Sequence, residues 1–180
     1  AGRRDALACA AECVLAVEKR GSAPGLVATV GKIEAAPGAI NVIPGAVRFT
    51  VDMRSADDAL REAAVTELSA EFRAIAARRG VELAIHGTQS SKAAVCAPWI
   101  MDQFAAAVRA EGVREFRLMS GAGHDGMAMI RLADIGMLFV RCARGISHNP
   151  AEAITAEDAE IGARVLLRFI RAFRPKETAR

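Results

Sequence analysis

Two of the three histidines stand in glycine-bearing loops: His124 in Ser120-Gly-Ala-Gly-His-Asp125, and His148 in Gly145-Ile-Ser-His-Asn-Pro150. A neutral imidazole is the commonest protein ligand for zinc-like metals, and the Asn-Pro after His148 would fix its loop. Gly121 and Gly123 would let a ligand approach the backbone closely, and Asp125 could hold an imidazole's tautomer. Each loop also has a plainer reading: His148 bonded to backbone, and His124-Asp125 as a tight turn before a helix. Arg54 and Asn41 are the other candidates. A guanidinium holds a carboxylate through two parallel bonds, and an amide both donates and accepts. Read singly, an Arg at a strand end is an ordinary solvated residue. His86 has no acid beside it and reads as structural or solvent-facing.

The elements that would position these groups follow from periodicity. A helix over about Arg3–Lys19 is expected to bury Leu7, Ala10, Ala11, Val14 and Leu15, with Gly21 as its stop. Gly25–Ala36 reads as a strand, and Pro37-Gly38 and Pro44-Gly45 bracket Ala39–Ile43. Ala46–Arg54 alternates, with Val47, Phe49, Val51 and Met53 on one side and Arg48, Thr50, Asp52 and Arg54 on the other. Ser55 is the expected cap of a helix running to about Arg79, which buries Leu60, Ala64, Leu68, Phe72, Ile75 and Ala76. Val81–Ile85 alternates as a further strand. This α-β-β-α-β order lacks only a leading strand to make a ferredoxin-like α+β sandwich.

After the polar stretch 88–92 the character changes. Pro98 opens a helix to about Glu111, and Phe116–Met119 and Ile135–Val140 read as strands. Thr155 caps a helix over Ala156–Phe173 with an apolar face of Ile161, Val165, Leu166, Phe169, Ile170 and Phe173. The tail from Arg174 is expected to fray. Two domains are therefore expected, 1–90 and 91–180. The second histidine loop follows the Ile135–Val140 strand and the first precedes it, which is how an α/β enzyme presents ligands at a sheet edge.

The composition is 52% hydrophobic and 25% charged, with a net charge of +3, which is that of a globular protein. No basic stripe with interleaved aromatics is present, which argues against nucleic-acid binding. No apolar run approaches the roughly 20 residues of a membrane span, and no signal peptide is visible. Cys9, Cys13, Cys96 and Cys142 read as buried thiols of a cytoplasmic protein. The chain opens almost directly in a helix without an initiating Met, which predicts a piece of a longer polypeptide.

Taken together, Gly38-Ala-Ile-Asn-Val-Ile-Pro-Gly45, Asp52-Met-Arg54, Ser120-Gly-Ala-Gly-His-Asp125 and Gly145-Ile-Ser-His-Asn-Pro-Ala-Glu152 closely resemble the M20-type metallopeptidase superfamily. The match is to its hydantoinase/carbamoylase branch: allantoate amidohydrolases, N-carbamoyl-L-amino-acid hydrolases and β-ureidopropionases. Met137–Cys142 looks most like the allantoate enzymes. The resemblance implies an α/β catalytic domain that holds two divalent metals, zinc or manganese first, and an α+β lid that makes a homodimer. It makes His148 a metal ligand, places His124 and Asp125 in the catalytic loop, and gives Gly121 and Gly123 backbone contacts to substrate. Asn41 and Arg54, thirteen residues apart as in the family pattern, would bind the carboxylate of a ureido-acid substrate, both from the partner subunit's lid. The family's other ligands, its general-base Glu, a lid histidine and the first lid strand lie N-terminal to Arg3. The 180 residues alone are therefore expected to be inactive. A non-catalytic dimerisation or binding module derived from this family is the competing expectation.

Overall fold

The computed structural model describes residues 3–176, and the chain divides into two compact units, Ala1–Ala93 and Ala94–Arg180. The first unit contains α1 (Ala6–Gly21), β1 (Val27–Ala36), β2 (Ala46–Arg54) and α2 (Asp58–Arg79). β1 and β2 form an antiparallel hairpin, with Val27 opposite Arg54 at one end and Ala36 opposite Ala46 at the other. A bulge between Thr29 and Lys32 interrupts the register.

Asp5 caps α1, its carboxylate accepting from the backbone N–H groups of Leu7 and Ala8 at 3.1 and 3.0 Å. The buried face of α1 is Ala6, Cys9, Ala10, Cys13, Ala16 and Val17, so of the face expected only Ala10 is buried. Leu7 and Leu15 are exposed, Leu15 by 60%. Close approach of the helix to the hairpin explains the rotation. A Cβ on Gly21 would stand 2.9 Å from the Ala28 carbonyl oxygen, so small residues face inward. Gly21 is thus required by proximity, and the helix runs through it to a cap at Ser22 in the right-handed region.

Asp57, not Ser55, caps α2, accepting from Ala59 and Leu60 N–H at 2.8 and 3.2 Å. The helix starts at Asp58, so Asp57 is the residue that reaches its free N–H groups. Ser55 instead donates to the Gly25 carbonyl at 2.7 Å and accepts from Asp57 N–H, tying the strand end to the turn. Gly80, at φ +63°, closes the helix in the left-handed conformation, and Val81 N–H returns to the Ala76 carbonyl. The core joins Cys9, Cys13, Ala16 and Val17 to Leu68, Phe72, Ile75 and Ala76, with Phe49, Val51 and Met53 against it. Phe49 meets Phe72 edge to face at 5.8 Å. The alternation expected of β2 is the one found. Val81–Ile85, however, makes no ladder among the described residues, because the sheet holds only β1 and β2.

The second unit contains α3 (Pro98–Ala110), the short α4 (Gly126–Met129), a 3-10 turn over Ala143–Gly145 and α5 (Ala156–Ala172). α3 packs on α5 through Phe104 stacked on Phe169, with ring centroids 3.8 Å apart. Thr155 caps α5 as expected, accepting from Asp158 N–H at 3.1 Å. Of the apolar face expected for α5 only Val165 is buried, and Leu166, Ile170 and Phe173 are exposed. The expected strands Phe116–Met119 and Ile135–Val140 form no ladder among the described residues either. A strand exists only through its pairing partner, and these segments leave apolar side chains in solvent, Phe116 at 71%. Arg174, expected to fray, is held instead: its N–H donates to Gln103 Oε1, and its carbonyl accepts from Gln103 Nε2. The tail beyond Lys176 lies outside the described residues. No helix among the described residues is long and apolar enough to cross a membrane.

Candidate active site

Asn41 and Arg54 belong to the first unit, and the remaining five candidates to the second. In the second unit, the Ser120–Asp125 loop leads into α4. His124 Nε2 lies 2.6 Å from Ser120 Oγ, and that hydroxyl oxygen accepts from Ala122 N–H at 3.1 Å. The hydroxyl hydrogen is therefore available to the imidazole. The ring also meets Phe139 edge-on, with centroids 6.5 Å apart, which ties the loop to the 135–140 segment. Asp125 does not orient His124. Its backbone carbonyl accepts from Ala128 and Met129 N–H, and its side chain makes no capping bond. The sequence reading missed Ser120 as the partner, although a Ser four residues before a His in a tight loop is its visible signal.

Gly121 and Gly123 are not explained by crowding. A Cβ at Gly121 would meet nothing within 4 Å, and at Gly123 only Met127 Sδ at 3.8 Å. Neither is among the glycines at positive φ. Open space before these two backbones is what close approach by a ligand requires.

His148 is set differently. Its backbone is left-handed at φ +55°, a conformation that costs a non-glycine residue about 1–2 kcal/mol. The surrounding loop imposes it. His148 N–H donates to Glu152 Oε2 at 3.0 Å, and Asn149 Oδ1 accepts from Ala151 N–H at 2.9 Å. Ala143 N–H bonds the Ala153 carbonyl at 2.8 Å, closing the base of the loop. Arg141 pairs with Asp158 at 2.6 Å just outside it. The exposed imidazole has no hydrogen-bond partner among the described residues. The loop thus fixes the backbone while the ring nitrogens have no partner among the described residues. Glu152 is the second residue whose role the sequence did not reveal.

The donor set bears on the metal. Among the described residues no three His, Cys, Asp or Glu side chains gather where they could hold one ion. Zinc-type sites take three or four protein ligands, so the groups present do not form a metal centre by themselves. The cysteines add no donors: Cys9 and Cys13 are buried as expected. Burial and the neighbouring Cys9 push the Cys13 thiol up to about 11. Cys96 and Cys142 are only half-buried, contrary to expectation. Cys142 Sγ donates to the Ile146 carbonyl at 3.3 Å across the turn before His148.

In the first unit, Arg54 Nε and Nη2 both bond the Asp52 carboxylate, at 2.7 and 3.3 Å. This pairing favours the charged guanidinium and ties it to the same strand two residues back. Asn41 is exposed in the 37–45 loop, which is pinned at the opposite end of the hairpin. Gly45 N–H bonds the Ala36 carbonyl at 3.0 Å, and Ala6 N–H bonds Pro44 at 3.1 Å. With Arg3, Asp5, Leu7, Ala8 and Ala11, the loop frames a shallow cleft beside the start of α1. A strand rises about 3.3 Å per residue, so the Ala46 and Arg54 ends of β2 stand about 26 Å apart. One copy of this unit does not bring Asn41 and Arg54 to the same carboxylate. His86 is exposed, as expected.

The comparisons with known proteins agree with the motif pattern. The profile of Peptidase family M20/M25/M40 matches residues 4–172. The chain is 38% identical to a probable allantoate deiminase of Oryza sativa subsp. japonica over 93% of its own length and 40% of the relative's. It is 36% identical to an N-carbamoyl-L-amino acid amidohydrolase of Geobacillus stearothermophilus, covering 91% of this chain and 40% of that one. Among solved structures, an amidase of the hydantoinase/carbamoylase family from Burkholderia multivorans superposes with a TM-score of 0.88 at 39% identity. That match covers 97% of this chain and 43% of the other. The chain thus spans about 40% of the length of these curated relatives. It belongs to the M20/M25/M40 peptidase family, and the relatives it matches include hydrolases of amide and ureido bonds.

Proposed function

We propose that this chain is the lid and C-terminal catalytic portion of a metal-dependent amidohydrolase that cleaves a ureido C–N bond. Allantoate is the first-choice substrate and an N-carbamoyl-L-amino acid the second. The observation that carries the reading is His148: a backbone locked by Glu152 in the left-handed region beneath an imidazole with no partner. Its relatives' names supply the reaction class.

In this reading His148 is one of several ligands of a divalent-metal centre whose other ligands lie outside these residues. Gly121 and Gly123, where a Cβ would meet little, are the positions at which substrate passes the backbone. His124, held by Ser120 and Phe139, and Asp125 line its approach. Arg54, pre-aimed by Asp52, anchors the substrate carboxylate, and Asn41 adds an amide to it. Because the hairpin separates these two, they serve one substrate only if they come from different copies of the first unit. This replaces the simpler arrangement in which one lid supplies both. The α1-β1-β2-α2 unit then acts as a ferredoxin-like lid and dimerisation module of a homodimer. Four free cysteines suit a cytoplasmic location.

The test is ammonia release from allantoate and from an N-carbamoyl-L-amino acid, with added zinc or manganese. It is run on these 180 residues and on the polypeptide extended upstream in its own reading frame. Activity only in the extended form, lost together with bound metal in His148→Ala, is the expected result. Activity in the 180 residues alone would show the ligand count to be wrong. Silence in both would favour a binding module.

A further inference from the structure

The bond between Ser120 and His124 decides which ring nitrogen of His124 carries the hydrogen. A hydroxyl has one hydrogen to donate and two lone pairs, and a neutral imidazole has one N–H and one bare nitrogen. Ser120 Oγ already accepts from Ala122 N–H at 3.1 Å, and it lies 2.6 Å from His124 Nε2. With the hydroxyl donating to a bare Nε2, each of these groups has a partner. The reverse arrangement, Nε2–H donating to Oγ, would put two N–H donors on one oxygen. It would also leave the hydroxyl hydrogen without an acceptor among the described residues. Ser120 is half-buried, so that loss would not be made good as freely as in open water.

We propose that Ser120 sets the tautomer of His124: its hydroxyl donates to Nε2, the ring carries its hydrogen on Nδ1, and the loop offers substrate a neutral N–H donor. Ser120 is thus a positioning residue that acts through His124. The tautomer follows from the loop alone, whereas its use rests on the reading of the Ser120–Asp125 loop as facing substrate.

The surroundings hold this arrangement. The bond from Ala122 N–H ties the Ser120 hydroxyl from two residues away. Met127 N–H donates to the His124 carbonyl at 2.9 Å and so fixes the backbone that carries the ring. Phe139 meets the ring edge-on from a separate segment, with centroids 6.5 Å apart. The Asp125 carboxylate, which was expected to hold the tautomer, makes no bond to the ring.

The chemistry that follows is that of a donor. Nε2 is engaged by the hydroxyl and Nδ1 is already protonated, so the ring has no bare nitrogen with which to take a proton from substrate or water. An exposed Nδ1–H suits a carbonyl or carboxylate oxygen of the substrate. His124 therefore polarises or orients that oxygen and is not the general base.

The tautomer is read by 15N NMR on the full protein labelled at its histidine nitrogens. The pH is held well above the ordinary imidazole value of about 6.5, so that the ring is neutral. The His124 signals are identified by their loss in His124→Gln. The wild type should show Nδ1 protonated and Nε2 bare. Ser120→Ala should release the ring into a mixture of tautomers, and Ser120→Thr, which keeps the hydroxyl, should keep the wild-type form. Ammonia release should show kcat/KM for the ureido acid lowered about tenfold or more in Ser120→Ala and largely recovered in Ser120→Thr. If Ser120→Ala does not fold, the wild-type and Ser120→Thr spectra still decide the tautomer. A wild type protonated at Nε2 would overturn the inference, and so would a Ser120→Ala spectrum identical to the wild type's. The expected tautomer with kcat/KM unchanged in Ser120→Ala would overturn the donor role. The expected tautomer in a protein that hydrolyses neither ureido acid would overturn the hydrolase reading and leave the assignment of Ser120 standing.

Discussion

Gly136 holds the segment between the two histidine loops against α3, and replacing it with alanine should show how closely the site depends on that contact. A Cβ at Gly136 would lie 2.3 Å from Ile100 Cγ2, 3.2 Å from Ile100 Cβ and 3.2 Å from Phe104 Cε2. Carbon atoms in good contact are about 3.5–4.0 Å apart, so something must move by more than about 1 Å. Ile100 and Phe104 are buried, and Phe104 is stacked on Phe169, so the helix side cannot yield cheaply. The Ala97 N–H bond to the Ile135 carbonyl, 2.8 Å long, fixes the residue just before. Overpacking of this kind costs about 1–3 kcal/mol, and this contact belongs at the upper end. The lower chain entropy of alanine returns about 0.4–1 kcal/mol, since Gly136 is not at positive φ. A net loss of about 2 kcal/mol follows from these two terms, or roughly 10 °C in Tm if the second unit melts by itself. The assay is thermal and urea unfolding of Gly136→Ala, Ile100→Ala and the double variant. Because Ile100→Ala removes the clashing Cγ2, the double variant should be less damaged than the sum by about 1 kcal/mol or more. Gly121→Ala is the control: its Cβ meets nothing, so stability should stay within about 0.5 kcal/mol of wild type. A stable Gly136→Ala, or strict additivity in the cycle, would refute the packing argument.

Other outcomes follow from the groups already described. Arg54→Ala in the full protein should raise KM for the ureido acid about tenfold or more while kcat changes little, because a lost charge-assisted grip costs about 1.5–3 kcal/mol. Steady-state kinetics at several substrate concentrations check this, and an unchanged KM would end the carboxylate role. The raised Cys13 pKa makes stability depend on pH in a defined window. The neutral thiol is favoured in the fold, so its contribution is complete below pH 9 and disappears as pH rises through about 11. Urea unfolding of wild type and Cys13→Ala at pH 8, 10 and 11 should show the wild type losing ground by up to about 1.4 kcal/mol per unit above 9. Parallel profiles would show that Cys13 is not the titrating group.

Much of the fold could be read from local pattern, and the misreadings share a physical cause. β2 alternates because one face packs on the helices while the other meets solvent, and a period of two survives in the residue order. Thr155 and Gly80 act within a few residues of themselves, so their chemistry is local; Asp5 is equally local, but the helix expected from about Arg3 hid its capping role. The strands expected at 81–85, 116–119 and 135–140 had the right residues, but pairing is a property of a distant partner, and the described residues provide none. The buried face of α1 was misjudged because hydrophobicity ranks Leu7 and Leu15 above Cys9 and Ala16. The hairpin leaves room only for small side chains there.

The site shows the same division. His124 and His148 were visible because their loops are short and rich in turn residues. That a hydroxyl holds one while a carboxylate fixes the backbone of the other is a matter of geometry. Asn41 and Arg54 were singled out by a family spacing of thirteen residues, which says nothing of distance: β2 runs between them and puts Arg54 at its far end. Glycine gives the sharpest case. Gly21 and Gly136 are forced by backbone and side chains that a methyl group would strike, whereas a methyl group at Gly121 would meet nothing within 4 Å and one at Gly123 only Met127 Sδ in ordinary contact. One residue type thus serves packing in two places and access in two others. Only the surroundings tell them apart, and it is the unforced pair that lies beside His124.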